Sequence, residues 1–406
     1  MAKESKHIPN IRFPQLQGGK KWNVECIGAL FCSFPTASYS RMQLKDKGTI
    51  GYIHYGDIHT KYNTFLDLTT SQLPHISEEQ RKQYVYLKDG DIILADASED
   101  YAGVGKCIEI LNTNGHRAIS GLHTILLREE KNYFTEKFKA YLFQSHYVKR
   151  QLEIKAVGTK IYSISFNSIR DIRIPYPPIS EQKKIADCLS SLDDYINATQ
   201  EKIEILQAHK KGLMQHLFPI LGKDMPKLRF PKFNKSKGWK IVKLKTICHI
   251  TNGKANTQDH HKNGKYPLFD RSAITKASDE YIFDAEAVII PGEGVRFIPK
   301  YYNGKFNLHQ RAYALKDFTC NALFVYYIMQ QKECLLAQKA VQSTVLSLRL
   351  PILQEFPIEL PTDIDEQKEI AECLASVDDL IDSTKQKLVM LQNHKRGLMQ
   401  QLFPTV

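Results

Sequence analysis

Eleven side chains pose the chemical question. Arg41, Lys61, Tyr62, Asn63, Lys106 and Arg117 in the first part of the chain, and Lys254, Arg271, Arg296, Lys300 and Arg311 in the second, interleave cations with amide and aromatic side chains. Arginine, lysine and asparagine can pair with base edges in a groove or hold phosphates. Any one of them is also an ordinary solvated surface residue; the set is what points to a polyanion. Bond-making constellations are missing. Pro291-Gly292-Glu293-Gly294 lacks the third glycine and the long crossover helix of a cofactor loop, and there is no Walker loop and no HExxH. Tyr176-Pro177-Pro178-Ile179 lacks the leading carboxylate or amide of an amino-methyltransferase run, and no convincing Asp with a following Glu-x-Lys in a core strand suggests a metal nuclease. His54, His59 and the pair His260-His261 stand alone in polar stretches, and the eight cysteines form no CxxC pair. No catalytic or metal-binding residue is therefore assigned, and a disulfide framework is not indicated.

The elements that must position these side chains are duplicated. Ile179–Pro219 and Ile364–Pro404 align without a gap at an offset of 185, with 25 of 41 positions identical. Their apolar residues step by four and three, which is a heptad seam. It runs through Ile185, Leu189, Leu192, Ile196, Thr199, Ile203, Leu206, Lys210 and Leu213 in the first copy, and through Ile370, Leu374, Val377, Ile381, Thr384, Leu388, Leu391, Lys395 and Leu398 in the second. Both copies interrupt the seam with Thr and Lys at the same places, which suggests a specified register. Ser180 and Asp365 are the expected N-caps, and Pro219 and Pro404 the stops. A bare dimerisation helix would account for the seam but not for its surroundings.

Those surroundings are duplicated as a frame. Ile11-Arg12-Phe13-Pro14 leads to Trp22 as Leu228-Arg229-Phe230-Pro231 leads to Trp239, and Lys155-Ala156-Val157 returns as Lys339-Ala340-Val341. The offset falls from 217 at the tryptophans to 184 at Phe134 and Phe318, so the interiors differ by 33 residues. Helices are predicted over Phe134–Ala156 and Phe318–Ala340, and buried strands at Asp91–Leu94 and Ala287–Ile290, each followed by a glycine-bearing loop. The expected parts are a module over 1–178, a helix over 179–219, a second module over 220–363 and a second helix over 364–406. The net charge of +12 resides in the modules, with 24 basic against 18 acidic side chains before residue 179 and 22 against 13 between 220 and 363. Both repeat segments are net negative. Two cationic modules on a scaffold that is not cationic suit a polyanionic partner. No apolar run approaches a membrane span and no apolar signal core opens the chain, so a cytoplasmic location is expected.

At Ile174-Pro175-Tyr176-Pro177-Pro178-Ile179-Ser180-Glu181-Gln182-Lys183, Ile364-Asp365-Glu366-Gln367-Lys368, Lys211-Gly212-Leu213-Met214-Gln215 and Arg396-Gly397-Leu398-Met399-Gln400, the sequence resembles the specificity subunit of type I restriction-modification systems. The resemblance covers essentially the whole chain; the second copy departs at Leu360-Pro361-Thr362-Asp363, where the double proline is lost. It implies an α+β fold in which two pseudo-symmetric α/β target recognition domains are each followed by a long helix, the helices packing as an antiparallel coiled coil. It further implies that each domain reads half of a bipartite site in double-stranded DNA. The implied partners are two modification subunits, which carry S-adenosylmethionine and methylate adenine, and restriction subunits; no catalytic group, cofactor or membrane contact falls to this chain. A seam of about 32 residues spans roughly 48 Å, of the order of the ~34–36 Å between half-sites on one face of DNA. Two other readings stay open on the residues alone: a self-sufficient DNA methyltransferase or nuclease, and a DNA-binding regulator without modification partners.

Overall fold

A computed structural model describes residues 7–16, 21–81, 83–220, 222–342 and 345–405. The chain divides into two compact units, Met1–Thr199 with Lys387–Val406, and Gln200–Gln386. The units do not follow the module boundaries expected from the sequence. Each takes one module, the first half of one long helix and the second half of the other.

The long helices are Ile179–Leu217 and Ile364–Leu402, 39 residues each. Within unit 1, Ile11 N–H donates to the Gln401 carbonyl while Arg12 pairs with Glu181, and further along Lys395 pairs with Asp193. As one helix ascends the other descends, so the two segments are antiparallel there. Unit 2 shows the same order, with Leu228 bonded to the His216 carbonyl, Arg229 paired with Glu366, and Lys210 with Asp378. None of the sixteen apolar and threonine seam positions is fully exposed. Ile185, Leu189, Thr199, Ile203, Ile370, Leu374, Ile381 and Thr384 are buried, and Leu192, Ile196, Leu206, Leu213, Val377, Leu388, Leu391 and Leu398 are half-buried. Thr199 and Thr384 satisfy their hydroxyls on the carbonyls of Tyr195 and Leu380, four residues back on their own helices. Helix entry differs from expectation. Ser180 and Asp365 lie inside the first turn, and Asp363 is the capping side chain, accepting from Asp365 N–H at 2.9 Å.

Each module closes on its helix in the same way. The strand after the tryptophan pairs antiparallel with the strand that leads into the helix, Asn23–Cys26 with Arg173–Tyr176 and Lys240–Lys243 with Pro357–Leu360. The buried strands Ile92–Ala95 and Phe283–Pro291 lie inside their sheets. Their continuous apolar runs serve two cores, one on each face. Ile92 and Leu94 join the cluster of Trp22, Phe31, Phe138, Ile185, Leu189, Leu402 and Phe403, whereas Ile93 and Ala95 join that of Ile58, Leu66 and Ile108. Val288 and Ile290 likewise meet Phe218, Trp239, Phe324 and Leu374, while Ala287 and Ile289 meet Phe269 and Phe306. At about 1.5–3 kcal/mol per fully buried large apolar side chain, the core that holds Trp22 or Trp239 binds each module to its helix segments.

The interiors diverge. Unit 1 has a five-stranded sheet in the order Phe31–Phe34, Thr124–Glu129, Ile92–Ala95, Cys107–Leu111, Phe65–Asp67, with a separate three-stranded sheet built on Ile50–Ile53. Unit 2 has a single six-stranded sheet running from His249–Asn252 to Lys276–Ser278. The single helices predicted over Phe134–Ala156 and Phe318–Ala340 are each two, Phe138–Gln144 with His146–Lys155, and Ala322–Gln331 with Glu333–Lys339. Ser145 makes the first break by turning extended and accepting from Val148 N–H, which caps the next helix. No described helix is long and apolar enough to cross a membrane.

Candidate nucleic-acid interface

Three equivalent devices fasten each module to the helices. A guanidinium from the module opening forks the glutamate of the Glu-Gln-Lys run: Arg12 on Glu181, and Arg229 on Glu366 at 2.7 Å from both nitrogens. The glutamine beside it brackets backbone. Gln182 accepts from Thr135 N–H and donates to Tyr133 and Pro177 carbonyls, and Gln367 accepts from Asn321 N–H and donates to Pro361. The seam lysine then reaches an aspartate of the other helix segment that also accepts a tyrosine hydroxyl. Lys395, Asp193 and Tyr141 form this lock in unit 1, and Lys210, Asp378 and Tyr327 in unit 2. Burial and the adjacent carboxylates raise both tyrosine pKa values, so both hydroxyls stay protonated donors. The frame is thus held by charge-assisted bonds whose geometry admits one register.

Upon this frame unit 1 opens a cleft of about 1160 Å³ lined by Arg41, Lys45, Lys47, Lys61 and Arg117, with Asp46 the one carboxylate on its wall among the described residues. Arg41 and Lys61 both bind Asp57 Oδ1, at 2.9 and 3.0 Å. Arg117 pairs with Glu78 at 2.6 Å and lies over the Tyr86 ring. Three expected residues, Tyr62, Asn63 and Lys106, border a second cleft beside the helices instead, and Lys61 borders both. Asn63 donates to Asn197 at 3.4 Å, and Lys106 donates to the His59 carbonyl at 3.0 Å, where burial lowers its pKa. Tyr62 is a correction: its ring is 9% exposed, a member of the Ile58 and Leu66 cluster. The period of the chain turns it inward between exposed Lys61 and Asn63.

Unit 2 carries a different cleft of about 990 Å³. Arg271 and Arg311 line it with Asn256, Gln258, Lys276, His309 and Gln310, against the carboxylates of Asp270 and Glu293. Arg311 Nη1 touches both oxygens of Glu293, at 2.7 and 2.9 Å, and Gln310 donates to Asn256 at 2.8 Å. Lys254 is exposed. Arg296 and Lys300 stand off this wall: Arg296 forks Glu333, and Lys300 donates to the Ser272 carbonyl at 2.8 Å, half-buried and with its pKa lowered by that burial. Asn256, His309, Gln310, Lys45 and Lys47 were missed as cleft residues. The match of Gly115-His116-Arg117-Ala118 with His309-Gln310-Arg311-Ala312 is the signal that points to two of them, His309 and Gln310.

Paired, unlike cationic clefts on twin frames define a duplicated polyanion-recognition protein. The type I restriction modification DNA specificity domain profile matches residues 19–207 and 236–393, and the chain belongs to that family. It is 27% identical over 318 residues to the type I restriction enzyme MjaVIII specificity subunit of Methanocaldococcus jannaschii, covering 68% of this chain and 71% of that one. It is 25% identical over 391 residues to the putative MjaX specificity subunit of the same organism, covering 88% and 87%. Its fold is similar to the type I restriction-modification S subunit from M. genitalium, with TM-score 0.63 and 15% identity over 98% of this chain and 100% of that one. A chain solved in work on complex assembly and conformational transition of the type I R-M system is similar at TM-score 0.51 and 18% identity over 94% and 97%.

Proposed function

We propose that the chain is the sequence-reading subunit of a type I restriction-modification complex. Unit 1 reads one half of an asymmetric, bipartite duplex site and unit 2 the other; the long helices set the unread gap. Adenine methylation belongs to modification subunits that carry S-adenosylmethionine, and cleavage to restriction subunits recruited through them. The observation that carries this reading is the contrast between an equivalent set of fastenings and two clefts of different sheet topology, size and side chains. Divergent contents suit two different half-sites, and cationic walls suit phosphate. Gly212 and Gly397 support docking on the helices: beyond the helix's own neighbouring backbone, a Cβ at either would meet nothing among the described residues within 4 Å. A mid-helix glycine costs about 1 kcal/mol against alanine, so its repetition fits close approach by a partner.

The test is a genome-wide map of N6-methyladenine in cells with and without the chain, its modification partner present in both. A bipartite motif that vanishes with the chain is expected. An unchanged map, or methyl transfer by the purified chain alone, refutes the reading.

A further inference from the structure

Among the arginines of the two clefts, Arg41 has the most fully buried anchor. Asp57 is 0% exposed, while the side chains of Arg41 and Lys61, both bonded to its Oδ1, are 50% and 58% exposed. Its other oxygen is buried with no hydrogen-bond partner among the described residues. Taking a carboxylate out of water costs several kcal/mol even when paired, and an apolar residue would fill the space without that cost. The surroundings hold the guanidinium in one place. Arg41 begins a short turn closed by Gln43 on the Ser40 N–H, and a Cβ added to Gly56 would come within 3.1 Å of Arg41 Nη2. Asp57 sits one residue on, in a short helix whose start is capped by His54 accepting from Gly56 N–H.

A guanidinium carries five N–H groups in a fixed fork. With Nη2 on Asp57, its free edge remains at the cleft wall, oriented before any ligand arrives. The acceptor pair in a DNA groove that matches such an edge and carries sequence information is guanine O6 with N7. We propose that Arg41 reads a guanine in the half-site of unit 1, and that Asp57 is the positioning residue that aims it. The proposal rests on unit 1 being a DNA-recognition module.

The test uses the full chain with its modification partner in cells, mapping N6-methyladenine for the wild type, Arg41→Lys and Asp57→Asn. Lysine keeps the charge and loses the fork. Both variants are expected to relax the same single guanine position, by about 10- to 100-fold in preference, and to leave the other half-site intact. A motif unaltered in Arg41→Lys overturns the proposal alone, as does a uniform loss at every site, which marks a phosphate contact. Relaxation in Arg41→Lys without any in a folded Asp57→Asn overturns the positioning role; if Asp57→Asn fails to fold by tryptophan fluorescence, Asp57→Glu, which moves the anchor but keeps its charge, decides that point. Absence of any bipartite motif in the wild type overturns the functional reading itself.

Discussion

Arg229→Met should cost unit 2 more than any change at an exposed cation. Arg229 and Glu366 are 5% and 0% exposed, joined by two bonds of 2.7 Å, and Trp239 Nε1 donates to the same carboxylate at 3.2 Å. Removing the guanidinium leaves a buried carboxylate whose remaining side-chain donor is an indole, and breaking a buried pair in this way costs about 3–5 kcal/mol. In a unit of this size each kcal/mol lowers the melting temperature by about 2–4 °C, so a fall of about 6–20 °C is expected. The full chain in a Trp22→Phe background reports unit 2 alone, because Trp22 and Trp239 are the two tryptophans and each sits in its own unit. Adding Glu366→Leu should restore much of the loss, since the uncompensated charge is then gone; Trp22 Nε1 is already buried in unit 1 with no hydrogen-bond partner among the described residues. Arg296→Met is the control. Its pair with Glu333 is 66% exposed on the arginine side and 10% on the glutamate side, and Phe297 N–H stays on that carboxylate, so its loss should fall well short of that at Arg229, about 1 kcal/mol. Strictly additive losses from Arg229→Met and Glu366→Leu, or equal losses from Arg229→Met and Arg296→Met, would refute the burial argument.

The seam lock should show as coupling: in a double-mutant cycle, Lys395→Met and Asp193→Asn are expected to interact by about 1–2 kcal/mol, and a value near zero would make the lysine a solvated bystander. Burial lifts the Glu109 carboxyl from 4.5 to about 7 against the pull of Lys139 and two backbone N–H groups. A raised folded pKa means stability that is complete below pH about 4.5 and lost as pH rises through about 7, so Glu109→Gln should gain on the wild type between pH 5 and pH 8 in urea denaturation; a constant difference speaks against it. Inserting one heptad into both long helices preserves the seam and adds about 10 Å, so the methylation motif should gain about 3 unread base pairs with both half-sites unchanged; an unaltered gap removes the ruler. Exchanging Trp239–Phe318 for the equivalent of another family member should alter one half-site only, and a change in both would show that the modules are not independent.

The frame was legible because its signals are local and doubled. A heptad seam, a tryptophan after a basic run and a proline after a helix can each be recognised within a few turns of chain, and finding each twice removes chance. Their partnerships were not legible. Arg12 and Glu181 are 169 residues apart, Lys395 and Asp193 are 202 apart, and nothing in either neighbourhood names the other. The cap at Asp363 and the break at Ser145 were missed for a related reason: each depends on one side chain outcompeting the next backbone bond, which periodicity does not register. Tyr62 failed differently, since a basic-aromatic-amide run reads the same whether its ring points to a ligand or, at period two, into a core.

The two kinds of position therefore answer to different constraints. Arg12 with Glu181 and Arg229 with Glu366, Gln182 and Gln367, Lys395 with Asp193 and Lys210 with Asp378 recur because in every case both partners belong to this chain, and a change in either deprives the other of a charge-assisted or buried hydrogen bond. The cleft residues lack that restraint. Arg41 is anchored by an aspartate in a helix and Arg311 by a glutamate in a loop after a strand, two unrelated ways of stiffening an arginine. What the units share at the clefts is the tied arginine itself, carried on a short turn in unit 1 and just ahead of a strand in unit 2, so the fastening beneath is repeated while the surface above it is not.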